Sequence, residues 1–432
     1  MIDEVGFMFN IFVQACGTAL VVGFGAVMLA AVPPTSTCRG VLQAAAAGYV
    51  IYMVISWILW IGPSRLVSPD AVTYDRIASE VANWWSGASA SQPTVPSGKE
   101  LFIYILAVLY LLFGHAPLAG LAINSLMFSW VILLVGDATA KLAGHRAATV
   151  ASRLVLLHPA MLIWGTQLIR EPAAWLCIAA LLNVGVRIII GGLTRRRCVA
   201  VLLAGSLFVP TRATIAVFVL AAFIFSLVVL GSDRLVRGST RLRGIGMMLV
   251  CAALVVFLAP RFGDLNVFSQ LDPSSIVNRH NELRTTARTG FGGEVDPSSS
   301  YGGILSQLPT ALAMVLFGPF PWQFPSTPVF ADADALAWWI TCGMAVAGWR
   351  HIGRPRWLFL VMAMTMTIIM AGTLANIGIV IRMRAQLVVL VIPLAAVGFT
   401  RARGQAGATR RRGYLEHQSR RPAVGLRRAG VT

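Results

Sequence analysis

Long uncharged apolar runs alternate along this chain with short connections that carry almost all of its charge, and few folds tolerate that pattern. A helical run of about 20 apolar residues matches a hydrocarbon core about 30 Å thick. Inside lipid the backbone N–H and C=O groups have no water to bond, so only helices and closed barrels span. Barrel strands alternate apolar and polar residues, and these runs do not. The pattern therefore predicts an all-α, polytopic transmembrane helix bundle. Charged residues make up 12% of the chain, against about a quarter in soluble domains.

Clear spans are expected at Phe7–Val32, Val41–Ile61, Pro117–Val135, Leu154–Thr166, Ala173–Ile190, Cys198–Val209, Thr214–Leu230, Gly244–Leu258, Ala335–Ala347, Trp357–Ile377 and Ala385–Phe399. Leu101–Phe113 and Ile304–Phe317, the latter with an internal Pro309, reach only roughly 20 Å and are expected to be half-inserted or flat on the membrane. Counting them either way gives about 11–13 membrane segments. Asp3 and Glu4 stand where a signal peptide has basic residues, and the first apolar run is too long, so no cleavable signal peptide is expected.

Basic residues collect in the cytoplasmic connections of membrane proteins, which sets the orientation. With the C-terminal tail inside, Lys141–Arg153, Gly191–Arg197, Ser232–Arg243 and Trp349–Arg356 fall inside, and the long connections Ile61–Glu100 and Arg261–Gly303 fall outside. Residues 1–400 read as one integral membrane domain. Residues 401–432 read as a basic, disordered cytoplasmic tail suited to anionic headgroups. The formal charge of +18 does not point to nucleic acid. Lys99 and Lys141 are the only lysines, and the arginines lie in connections rather than in an aromatic-interleaved patch. Cys16, Cys38, Cys177, Cys198, Cys251 and Cys342 lie in or beside apolar runs without CxxC spacing, which suggests neither a disulfide framework nor a metal site.

In the first outer connection, SPDAVTYDRIASEVANWW places Asp70, Asp75 and Glu80 just behind a span. Tyr74, Ile77, Ala78, Val81 and Trp85 recur there at helical spacing, which predicts an amphipathic helix after Pro69 lying on the membrane. Its carboxylates are either ordinary solvated charges or candidates for general-base work. GTQLIREPAAW sets Arg170 and Glu171 between two apolar runs, where charge is costly unless it is paired or faces an aqueous cavity. An interfacial ion pair and a ligand-holding pair both satisfy that condition. Arg212 in VPTRAT, and Arg382 and Arg384 in IGIVIRMRAQ, are isolated outer-side arginines that the positive-inside bias does not explain. A guanidinium fork suits a lipid phosphate; snorkelling to headgroups is the competing reading. LFGPFPWQFPS (Leu316–Ser326) reads as a rigid interfacial aromatic anchor. No P-loop, nucleophile elbow, zinc site or dinucleotide fingerprint occurs.

Taken in order, SPDAVTYDRIA, GKELFIYILAVLYLLFGHAPLAGLAINSL, HPAMLIWGTQLIREPAAW, LFGPFPWQ and IGIVIRMRAQLVVLVIP resemble the membrane-embedded GT-C glycosyltransferases. That superfamily contains the protein O-mannosyltransferases and the aminoarabinose transferases, and the nearer resemblance is to a bacterial branch labelled family-39-like. It runs from about Ile61 to Pro393. The resemblance implies transfer of a sugar from a polyprenyl phosphate to an acceptor outside the cytoplasmic membrane, with Asp70 as base. Ala71 follows Asp70 where the mannosyltransferases carry an Asp-Glu pair, and two spans precede the first outer connection where many relatives have one. Such transfer needs a carboxylate to take the acceptor proton and cations to hold the leaving phosphate. Asp70, with Asp75 in reserve and Tyr74 to orient, suits the first need; Lys99, Arg170, Glu171, Arg212, Arg382 and Arg384 are the candidates around the donor. The expected partners are membrane lipids and a polyprenyl-phosphate-linked sugar; the need for a divalent cation stays open. The rival readings are an envelope polysaccharide polymerase, ligase or lipid-linked oligosaccharide flippase, and, third, a non-enzymatic membrane protein.

Overall fold

The computed structural model describes residues 2–32, 38–62, 68–96, 98–235, 272–285, 301–373 and 376–419. The regular elements among them are helices: α1 (Ile2–Ala30), α2 (Arg39–Ile61), α3 (Pro69–Trp85), α4 (Glu100–Phe113), α5 (Pro117–Leu157), α6 (Pro159–Gly165), α7 (Glu171–Gly191), α8 (Arg195–Leu235), α9 (Pro273–Thr285), α10 (Tyr301–Phe317), a 3₁₀ turn at Pro321–Ser326, α11 (Val329–Trp349), α12 (Arg356–Thr373) and α13 (Ile377–Ser419).

Eight of these are long and apolar enough to cross a membrane: α1, α2, α5, α7, α8, α11, α12 and α13. Both α5 and α8 run for 41 residues, about 60 Å if straight and twice the hydrocarbon thickness. Neither is straight. Within α5, Gly144 takes φ 82° and ψ −179°, a region that favours glycine. Ser152 Oγ then donates to the Ile132 carbonyl at 3.4 Å, although residues that far apart on one helix stand about 30 Å from each other. The chain doubles back at Gly144. Within α8, Pro210 lacks the N–H that would continue the ladder, and Arg212 is non-helical at φ −156° and ψ 71°. Cys198 and Val201 from the first arm line one small cavity with Phe223, Ile224 and Leu227 from the second. Each run is a helical hairpin, so the eight long helices contribute ten arms among the described residues.

The expected spans Pro117–Val135, Cys198–Val209 and Thr214–Leu230 are arms of these hairpins. Leu154–Thr166 needs correction as one continuous helix. The arm begins after Gly144 and breaks at His158, extended at φ −67° and ψ 127° because the following Pro159 disfavours helical geometry, before α6 resumes it. Gly244–Leu258, Cys251 and most of Arg261–Gly303 lie outside the described residues. The short α4 and α10 match Leu101–Phe113 and Ile304–Phe317. Helix α13 passes Arg401 and continues to Ser419.

Because successive arms run in opposite directions, the turns at Gly144, at Gly192 and between Trp349 and Arg356 fall at one end of the bundle. The segments holding Arg170, Arg212 and Arg382 fall at the other. The main core joins α2, α5, α7, α8, α11, α12 and α13. Helices α11 and α13 touch backbone to backbone at Gly348 and Gly398, where a Cβ would run into the carbonyls of Leu394 and Met344; small residues permit such approaches in lipid. A second core lies beneath α3 and α4. The expected amphipathic face of α3 is present. Tyr74, Ile77, Ala78 and Val81 are buried on it, together with Ala71 and Ala82. Trp85 departs from it, 40% exposed with its ring 5.7 Å from that of Tyr104.

Candidate functional site

Four chain segments meet at the end of the bundle opposite Gly144 and Gly192. Asp70 lies in the first turn of α3, directly after Pro69, where the helix dipole favours a carboxylate. Glu171 opens α7 ahead of Pro172. Arg212 sits at the hairpin turn of α8, and Arg382 in the second turn of α13. The entrance to α3 is tied to the loop before α7: Ser68 N donates to Gln167 Oε1 at 2.9 Å. Asn124, buried in α5, holds the same loop by donating to the carbonyls of Gln167 at 2.9 Å and Ile169 at 3.0 Å.

The charges form a chain. Arg382 donates through Nη1 to Asp70 Oδ2 and through Nε to Glu171 Oε1 at 2.6 Å. Arg212 donates through Nη2 to the same Glu171 oxygen. Glu171 is fully buried, whereas the Asp70 side chain is 39% exposed. Asp70 is thus the member that an approaching molecule reaches first. The Arg382 guanidinium also stands 5.5 Å from the Trp164 ring, within cation–π range. Arg170 donates to the Gly98 carbonyl and, at 3.1 Å, to that of Thr211, pinning the Lys99 loop to the α8 turn. Lys99 Nζ lies 5.2 Å above the Tyr74 ring. Burial, then the field of Arg170, pulls the Lys99 ammonium below its ordinary pKa. The Tyr74 hydroxyl is buried without a hydrogen-bond partner among the described residues, and burial raises its pKa.

The sequence candidates therefore separate. Asp70, Tyr74, Lys99, Arg170, Glu171, Arg212 and Arg382 share this site. Asp75 faces elsewhere: it accepts from the Tyr110 hydroxyl at 2.6 Å and pairs with His115 Nε2 at 2.8 Å. That bond raises the His115 pKa, with burial opposing it. Arg384, two residues beyond Arg382, points the other way. It donates to the carbonyls of Val315, Met314 and Gly318 and lies 3.5 Å from Asp334, both side chains fully buried. It steadies the aromatic segment Leu316–Ser326.

Three participants escaped the sequence reading. Glu100 is buried within the field of Arg170, its pKa raised by burial; its place beside Lys99 was the available sign. Trp164 belongs to a quoted motif but carries no charge to mark it. Asn124 is a polar residue within an apolar run, a signal of the kind that marks function in membranes. Among the described residues no group of three or more His, Cys, Asp or Glu is placed to hold a metal ion.

No protein-family model matches the sequence, and no curated protein does. Solved structures do share the course of the chain. ArnT from Cupriavidus metallidurans, an aminoarabinose transferase solved bound to undecaprenyl phosphate, is 15% identical with a TM-score of 0.49, the match covering 82% of this chain and 61% of that one. The archaeal oligosaccharyltransferase AglB from Archaeoglobus fulgidus, solved with an inhibitory peptide and a dolichol-phosphate, is 15% identical with a TM-score of 0.47, covering 81% and 50%. Both are GT-C glycosyltransferases. The chain spans half to three fifths of the length of these two neighbours. At such identities and scores the likeness is one of fold, and it carries no conclusion about chemistry.

Proposed function

We propose that this chain is a membrane-embedded glycosyltransferase, moving a sugar from a polyprenyl-phosphate donor to an acceptor on the outer side of a bacterial cytoplasmic membrane. One observation carries the reading: the Asp70–Arg382–Glu171–Arg212 chain, largely buried at one end of the bundle and most open at Asp70. Around it Lys99, Arg170, Arg212 and Arg382 face Asp70, Glu100 and Glu171, an excess of one positive charge. Unbalanced charge in a low-dielectric site calls for a counter-ion, and a sugar phosphodiester carries one negative charge.

In this reading a phosphate oxygen replaces Asp70 on Arg382, while Glu171 keeps the guanidinium in place. Asp70, released at the exposed edge, accepts the proton of the acceptor hydroxyl. The acceptor oxygen bonds to the anomeric carbon as the bond from that carbon to the phosphate oxygen breaks. The arginines hold the charge that develops on the departing polyprenyl phosphate. Tyr74 and Trp164 flank the site, their rings beside Lys99 and Arg382.

The test is turnover of a polyprenyl-phosphate sugar by purified protein in liposomes, with and without divalent cations. Asp70→Asn is expected to lower transfer by about 10²–10⁴, the usual contribution of a general base, while Asp75→Asn stays near normal. Normal transfer by Asp70→Asn would refute its role as base.

A further inference from the structure

At the other end of the bundle a cavity of about 620 Å³ lies between α11, α12 and α13. Its walls are three helical stripes: Trp338, Cys342, Ala345 and Trp349 from α11; Phe359, Ala363 and Thr367 from α12; and Leu387, Leu390 and Leu394 from α13. From Trp338 to Arg350 it extends about 18 Å along α11. One end closes on Trp338, which is 1% exposed and bonded through Nε1 to the Leu316 carbonyl at 2.6 Å. Behind Trp338 stands the fully buried Arg384. The groove therefore stops short of the site at Arg382. Its side opens between Val346, 76% exposed, and Met364, 47% exposed.

The other end opens on charge. Arg350 lines that mouth and is exposed, with no ion pair among the described residues. The turn that follows, Trp349 to Trp357, adds His351, Arg354 and Arg356 and contains no acid. Arg356 is held between two rings, 5.3 Å from Trp349 and 5.5 Å from Trp357, an amphipathic arrangement suited to the headgroup level. An apolar slot, open sideways to lipid and ending at an uncompensated arginine, has the chemistry of an acyl chain joined to an anionic head.

We infer that the α11–α12–α13 groove binds an anionic phospholipid, its acyl chain in the slot and its phosphate at Arg350. The polyprenyl donor would have to place its phosphate at the closed Trp338 end to reach Arg382, and no exposed cation lines the groove there.

Delipidated protein in detergent, titrated with phosphatidylglycerol or phosphatidylcholine and weighed by native mass spectrometry, tests this. One phosphatidylglycerol is expected to bind in preference to phosphatidylcholine. Arg350→Gln should weaken phosphatidylglycerol about fivefold and leave phosphatidylcholine unchanged, the fivefold corresponding to about 1 kcal/mol per basic residue at an anionic surface. Val346→Trp, at the exposed lip where folding is not at stake, should weaken both by filling the slot. Equal binding of the two lipids, indifference to Arg350→Gln, or full binding by Val346→Trp would each overturn the proposal. So would displacement of phosphatidylglycerol by undecaprenyl phosphate in an Arg350-independent manner.

Discussion

Replacing Glu171 with glutamine keeps the size of the side chain and removes the one charge that Arg212 and Arg382 share. Glu171 is fully buried, and its Oε1 accepts from both guanidinium groups. Glutamine keeps a carbonyl oxygen that can accept from both guanidinium groups, so the hydrogen bonds persist in neutral form and what is lost is the charge. Removing the charged partner of a buried pair costs about 3–5 kcal/mol because the opposite charge is left uncompensated. The expected loss is therefore about 4 kcal/mol. Asp70 carries the same charge and also touches Arg382, yet it is 39% exposed, and pairs open to solvent contribute about 0–1 kcal/mol. Glu171→Gln should therefore destabilise the protein several times more than Asp70→Asn, although both delete a carboxylate bonded to the same arginine. Unfolding in nanodiscs, followed by tryptophan fluorescence, measures the difference. Combining Glu171→Gln with Arg212→Gln should cost less than the sum of the two, by about 1–3 kcal/mol, as expected of contacting residues. Equal destabilisation by Glu171→Gln and Asp70→Asn, or strict additivity of the double variant, would refute the buried-bridge reasoning.

Arg382→Lys should weaken use of a polyprenyl-phosphate donor by about tenfold or more, because a point charge cannot hold a phosphate and Glu171 with one planar fork; donor titration in liposomes reads it, and unchanged affinity would remove the phosphate role. His115 has a folded pKa raised by Asp75, so its contribution is fully present below about pH 6.5, the unfolded value, and is lost as pH rises through the folded pKa. Thermal midpoints across pH 5–9 should show that decline, and His115→Gln should flatten it. For topology, a cysteine at Ser89 should be labelled by an impermeant maleimide from outside intact cells and one at Arg195 should be protected; the reverse would invert the orientation.

The fold was legible wherever the code is one-dimensional. Apolar length gave most of the spans that fall among the described residues, and the period in Tyr74, Ile77, Ala78 and Val81 gave the buried face of α3. Failures came where a single backbone group decides. The His158–Pro159 break lies inside an apolar run whose composition is unchanged on either side, so hydropathy passes through it. The tight turn at Gly144 is the complementary case. Lys141 to Arg153 read as a polar connection, yet the whole turn is made by one glycine at φ 82°, with helix on both sides.

The members of the candidate site stood out in the sequence as single residues but not as pairs. Arg170, Glu171, Arg212 and Arg382 each stood out because charge between apolar runs is costly, and that cost is the same whichever partner relieves it. The partners that relieve it lie 41, 211 and 312 residues apart in sequence, so no local pattern records the pairing. Arg382 and Arg384 show the limit. They are adjacent in motif and identical in type, but two residues on a helix differ by about 200° in direction. One therefore meets Asp70 and Glu171 while the other meets Asp334 and the backbone of the aromatic turn. The same angular argument divides Asp70 from Asp75, which are five residues apart on α3 and therefore about 140° apart. Asp70 turns toward the arginines and Asp75 toward Tyr110 and His115. Once α3 is known to be a helix with Tyr74 on its buried face, only one of the two carboxylates can point into a site shared with α13.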